Sequence, residues 1–283
     1  MKLLILLLVL GLRRLDYAWP EGLRAPARFA RLLVPLRDLA GALRLSGTLR
    51  WLVMVLLPAV VIGGLIAWLH CVLGGLPGWI AGGALLLWLL GPDSENRRVD
   101  DLLVRGRMQD TAGVADAATD FGVSGEPGDA GFFSSLYSRI LNREAEGLFA
   151  ITFWLIVLGY WAALLYTLNF FLLRVEDEDD ALANTARTVH TALFWPPGRL
   201  LVGCMALAGD WRRVSEALSG RIWTLEDDDR LLDDAMNAAV GAEDGAEPRA
   251  MDKAMDRLES RQGLLLRCLA IWLLLAAAWV LIS

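Results

Sequence analysis

From Leu148 to Leu173 the chain runs for 26 residues without a single charge. As a helix, at about 1.5 Å of rise per residue, such a run is about 39 Å long, enough to cross a hydrocarbon core of about 30 Å with tilt. Apolar residues also dominate Trp51 to His70, about Gly78 to Gly91, and Leu264 to Ser283. Overall 56% of the residues are hydrophobic, against about 45–50% in an ordinary soluble domain. Clustering of this kind excludes a soluble globular protein, a disordered chain and a small disulfide scaffold. The pattern predicts an all-α fold: a polytopic α-helical integral membrane protein with four strong spans, an additional N-terminal half-helix and a weaker apolar segment at 190–209.

Each span carries its own marks. Trp51 to His70 holds Pro58 and the pair Gly63-Gly64, which a membrane helix tolerates better than a soluble one. The uncharged connection Cys71 to Pro77 joins it to the short second span, so the two are expected to form a hairpin over 51–91. The third span, 148–173, ends at a run of acids from Glu176 to Asp180. Five adjacent acids cannot all point at one ion, and the spacing fits no calcium loop, so the run reads as solvated loop. Arg267 lies a turn inside the last span, 264–283, where it can snorkel to the interface.

Charge is divided unevenly along the chain. Residues 1–50 carry nine Lys/Arg against three Asp/Glu, although the whole chain is at −6. Orientation follows Lys and Arg, so the basic arm 13–50 is expected on the cytoplasmic side of a multi-pass inner (plasma) membrane. Within it, Arg24 to Arg50 reads either as a basic amphipathic helix pair on anionic lipid or as a plain cytoplasmic linker. Met1 to Leu12 resembles a signal peptide, but Arg13 and Arg14 follow where a cleavage site would stand. Ten apolar residues make about 15 Å of helix, half a bilayer core, so this segment is expected to lie at the interface or be buried.

The hydrophilic stretches divide the rest. Residues 92–147 form an acidic loop with 11 acids and six Arg. Its part from Gly113 to Gly131 reads as a flexible connector. From Phe132 to Asn142 the apolar residues recur at helical spacing, which predicts an amphipathic helix leading into the third span. Residues 174–263 are mixed, with Thr191 to Gly209 interrupted by Pro196-Pro197-Gly198-Arg199. With four spans, 174–263 faces the periplasm, yet 210–263 carries eight Lys/Arg, a cytoplasmic signature. A re-entrant or spanning segment at 190–209 would resolve the conflict.

Little of the sequence is a recognisable catalytic pattern. No phosphate loop, HExxH, GxSxG or paired CxxC is present, and there are only two histidines, His70 and His190. No metal site or cofactor is expected. Cys71, Cys204 and Cys268 read as small buried hydrophobes. The acidic, hydrophobic composition argues against nucleic acid as a partner and for the lipid bilayer. Two constellations remain as ligand-binding candidates. Asn142 and Arg143, at the border of the third span, can bind a polar group or simply cap a helix. Trp195, Pro197 and Arg199 lie in an apolar stretch, where a guanidinium requires a carboxylate, a phosphate or a water-filled cavity unless it snorkels.

These residues carry a family resemblance. Asn142-Arg143 followed by Phe149-Ala150-x-x-Phe153-Trp154, then Trp195-x-Pro197-x-Arg199-Leu200 and Leu207 to Asp210, resembles the AmpE family of bacterial inner-membrane proteins. The likeness covers essentially the whole chain. It implies a regulatory or signalling role in β-lactamase induction and peptidoglycan recycling, with a cell-wall fragment or a membrane protein as partner. That family is itself similar to CbiB, the cobalamin-biosynthesis membrane synthase, which implies an alternative: a ligase joining a carboxylate to an amine. The synthase element Glu-Asn-x-x-Asp-Gly has no counterpart here; Asn142 and Arg143 stand in the comparable place.

Overall fold

A computed structural model describes residues 2–14, 29, 33, 35–38, 46–72, 75–91, 95–175, 181–224, 228–241 and 251–282. The acidic run 176–180 and most of the basic arm 13–50 lie outside the described residues. The helices are α1 (Lys2–Arg14), α2 (Gly47–Trp51), α3 (Leu57–Val72), α4 (Gly75–Leu90), α5 (Glu95–Arg107), α6 (Thr111–Thr119), α7 (Phe132–Glu144), α8 (Ile151–Val157), α9 (Tyr160–Val175), α10 (Ala181–Ala208), α11 (Trp211–Ala217), α12 (Asp228–Val240) and α13 (Met251–Ile282). Wider π turns at Leu52–Leu56 and Ala145–Ala150 join α2 to α3 and α7 to α8. The all-α class follows from the sequence pattern, and no strand occurs among the described residues.

Among the described residues, three helical stretches are long and apolar enough to cross a membrane: Gly47–Leu69, Ala181–Ala208 and Met251–Trp279. The expected set of four differs at two places. The run 148–173 is not one helix. At Gly159 the backbone turns left-handed, with φ +93, and the N–H groups of Leu158 and Gly159 both close on the Trp154 carbonyl at 3.0 Å. That is a glycine helix stop, and lack of charge gives no sign of it. The second expected span, α4, is 16 residues long, about 24 Å, which is short for a bilayer. Conversely, the weak segment 190–209 lies in a continuous helix of 28 residues that runs through Pro196 and Pro197.

The chain divides into two compact units. One comprises 1–93 and 150–194, the other 94–149 and 195–283, and the division falls inside α10 between Phe194 and Trp195. In the first unit the apolar helices are held by close approach. Gly63 abuts Trp161, and Gly82 abuts the Tyr160 ring, so tightly that a methyl at either would collide. Small residues at such crossings let helices meet where no hydrophobic drive separates protein from lipid. A buried polar tie crosses this unit: the Trp51 indole donates to Asn169 Oδ1 at 2.7 Å, and Asn169 Nδ2 donates to the Ala186 carbonyl at 3.0 Å. Asn169 is fully buried, so the satisfied amide stabilises and a broken one would cost. Leu57, Val60, Val61, Leu65 and Trp68 lie exposed along α3. Cys71 is exposed as well, unlike Cys204 and Cys268, which are buried as expected.

In the second unit the stretch read as a flexible connector proves to be part of a packed core. Val114 and Ala118 of α6, with Phe121 and Val123 beyond it, pack with Val99, Leu102, Phe133, Leu136, Tyr137 and the start of α13. Their spacing at 114, 118 and 121 is helical, concealed in a composition of Gly, Ala and Asp. Asp110 caps α6 by accepting from the Gly113 N–H at 2.9 Å. The Tyr137 hydroxyl donates to the Ala254 carbonyl at 2.7 Å, fastening α7 to α13. On the exposed side Arg107 bridges Asp256 and Glu259, and Gln262 donates to Asp100. Within 95–144 the three helices α5, α6 and α7 thus belong to the second unit.

Candidate functional site

A polar concavity of the second unit lies along α7. Its apolar stripe, Phe133, Leu136, Tyr137 and Ile140, is turned into the core. The opposite stripe, Ser134, Ser135, Ser138, Arg139 and Asn142, forms one wall of an open groove of about 580 Å³. Gly122, Val123 and Ser124 form a second wall, and Asp233 of α12 closes it. The left-handed Gly122, φ +78, turns the chain at the end of α6 and brings that wall over.

Asn142 is the sequence candidate that reaches this groove. Its side-chain oxygen is buried and has no hydrogen-bond partner. An amide oxygen in that condition carries a desolvation cost that a donor from a ligand or a water would relieve. Arg143, the next residue, points elsewhere: its guanidinium lies over the Phe121 ring, 5.4 Å from the centroid.

Charge below the groove is concentrated in two residues that the sequence analysis did not single out. Burial pushes the Asp233 carboxyl above the ordinary aspartate range, while its hydrogen bond with Ser138 and the charge of Arg261 pull it back. Arg261 is 9% exposed. It donates to Asn237 Oδ1 and lies over Tyr137, 4.5 Å from the ring centroid. The signal for this site was present as the polar face of the α7 periodicity. Asp233 and Arg261 become visible only when α12 and α13 are folded around it.

The second sequence constellation forms a separate cluster. Arg199 Nε donates to the Ile222 carbonyl at 2.6 Å, and its Nη2 donates to the Thr224 carbonyl. The Trp195 indole donates to the same Thr224 carbonyl at 3.3 Å, and Arg199 lies 5.7 Å from the Trp195 ring centroid. These contacts close the turn after α11 onto α10. Pro197 is buried within α10. Trp195, Pro197 and Arg199 therefore meet one another's neighbourhood and do not line the α7 groove.

Chemically the groove offers hydroxyls and an amide that both donate and accept, one guanidinium that donates and one carboxylate that accepts. That set suits recognition of a small polar ligand carrying hydroxyl, amide or carboxylate groups. It does not make a nucleophile: a carboxylate hydrogen-bonded straight to Ser138 is too weak a base to ionise it, and no imidazole stands between them. Among the described residues no group of three His, Cys, Asp or Glu side chains could hold a metal ion. No family model, no curated protein and no solved structure matches this chain.

Proposed function

We propose that this chain is a multi-pass protein of the bacterial inner membrane that regulates the response of β-lactamase induction and cell-wall recycling, as its AmpE-like motifs imply. The reading rests on one convergence. Asn142, picked out by the motif, lines the polar groove and keeps a buried amide oxygen without a partner. The groove recognises a polar ligand or a partner's polar side chains, and recognition rather than bond-making is the task its groups suit. The three apolar helical stretches provide membrane residence. In the same reading α4 and the pair α8–α9 sit in the bilayer with them as the remaining embedded elements, and the basic arm 13–50 stays on the cytoplasmic side.

A deletion strain tests this against the ligase reading. The regulator predicts altered β-lactamase induction by a β-lactam with normal corrinoid synthesis. Complementation of a cobalamin-synthase mutant by this gene would overturn the proposal. Reintroduced Asn142→Ala should reach the membrane at normal level and fail to restore induction.

A further inference from the structure

Trp223 is 80% exposed, an unusual state for the largest apolar side chain. It does not sit on a loose segment. Arg199 holds the carbonyls on either side of it, those of Ile222 and Thr224. The Trp195 ring lies 6.2 Å away. Arg221, two residues earlier, is tied to Asp234 at 2.7 Å, and Leu218 at the start of the turn is fully buried. The backbone is thus fixed so that the indole points outward. The helix that holds the turn, α10, is one of the stretches apolar enough to cross a membrane, and it exposes Leu200 and Leu207 one heptad apart.

Tryptophan beside arginine, on an apolar helix, is the composition found at the boundary between hydrocarbon and headgroups, where one end of the ring is dry and its N–H is wet. An arginine in an apolar helix also places itself at that boundary. We infer that the turn Leu218–Thr224 is a membrane-interface anchor, with the Trp223 indole seated at headgroup depth and Arg199 acting to fix its presentation. The occupant of this surface is the lipid bilayer. The inference rests on the membrane reading above and adds the depth and identity of a contact point outside the spanning segments.

The test is a depth measurement on the full chain in phosphatidylcholine–phosphatidylglycerol vesicles. A Cys71→Ser, Trp223→Cys protein is labelled with an environment-sensitive nitrobenzoxadiazole dye, and vesicle flotation is read on the same sample. The anchor predicts about twofold or greater quenching by nitroxides on the headgroup or upper acyl chain, weaker quenching from the chain ends, and shielding from aqueous iodide. Flotation with full iodide access and no lipid quenching overturns the anchor and leaves the membrane reading intact. Failure to float overturns both. Arg199→Ala in the labelled protein should loosen the presentation and raise iodide access; unchanged access would overturn the role given to Arg199.

Discussion

The Trp154 indole donates a hydrogen bond to the Leu193 carbonyl at 3.1 Å. Leu193 stands four residues before Pro197, so its carbonyl is the one whose helical donor the proline ring removes. An indole from α8 supplies the missing hydrogen. This meets one of the two carbonyls that Pro196-Pro197 deprive of a helical donor in α10, where the sequence reads as an interruption.

A double-mutant cycle measures that substitution of donors. Trp154→Phe keeps a ring and leaves the Leu193 carbonyl without its partner, which should cost about 1–3 kcal/mol in a detergent unfolding assay. Pro197→Ala gives the carbonyl a backbone N–H. In that background Trp154→Phe should cost less, with a coupling of at least about 0.5 kcal/mol. Strict additivity of the two changes would mean the indole bond contributes nothing.

Adjacent glycines in α3 separate packing from surface exposure. A side chain at Gly63 would strike Trp161, while nothing lies within 4 Å of a Cβ at Gly64. Gly63→Leu should therefore lower the yield of folded protein and cost about 1–3 kcal/mol, as overpacking does. Gly64→Leu should be tolerated within about 0.5 kcal/mol. Monodispersity in detergent and thermal unfolding of the two variants report the difference, and equal damage from both would remove the α3–α9 contact as its cause.

Helix class and the position of apolar stretches were legible because periodicity and charge depletion are local. Helix ends were less so. Gly159 stops a helix through its left-handed backbone, and a glycine inside an apolar run carries no mark of that. Pro196-Pro197 misled in the other direction, and the donor that replaces the one lost at Pro197 comes from Trp154, 39 residues before Leu193. The core role of Val114, Ala118 and Phe121 was hidden by the composition around them. At the groove, Asn142 was found from sequence, whereas Asp233 and Arg261 are brought in from α12 and α13 by tertiary folding. Arg199 was expected to need an anionic group or water, and among its acceptors are the backbone carbonyls of Ile222 and Thr224, which the sequence does not point to.

Asp233 sets a pH dependence with a definite sign. Its folded-state carboxyl titrates above the ordinary value of about 3.9, chiefly because it is buried. The folded protein then holds a proton that the unfolded chain has already released. Stability falls as pH rises from that ordinary value through the raised one, and stays lower above it. Asp233→Asn removes this contribution. The variant should be at least as stable as the wild type at neutral pH, and its unfolding midpoint should lose the mildly acidic decline. A variant profile with the same decline would assign it to another group.

Arg199 makes two backbone contacts from one planar group, and the geometry predicts how substitutions rank. Nε and Nη2 reach carbonyls two residues apart, at Ile222 and Thr224. Lysine offers a single ammonium on a flexible stem and can satisfy one of them at a time. Arg199→Lys should recover part of the stability lost in Arg199→Ala, where the loss is about 1–3 kcal/mol, chiefly for the part-buried Ile222 carbonyl left unmet, the exposed Thr224 carbonyl keeping the Trp195 indole. The local signature is proteolytic. Arg221 lies in the turn these bonds hold, tied to Asp234, so trypsin should cut after Arg221 slowly in the wild type, faster in the lysine variant and fastest in alanine. Cleavage at one rate in all three proteins would mean the turn is held without Arg199, and the guanidinium would be left for a ligand.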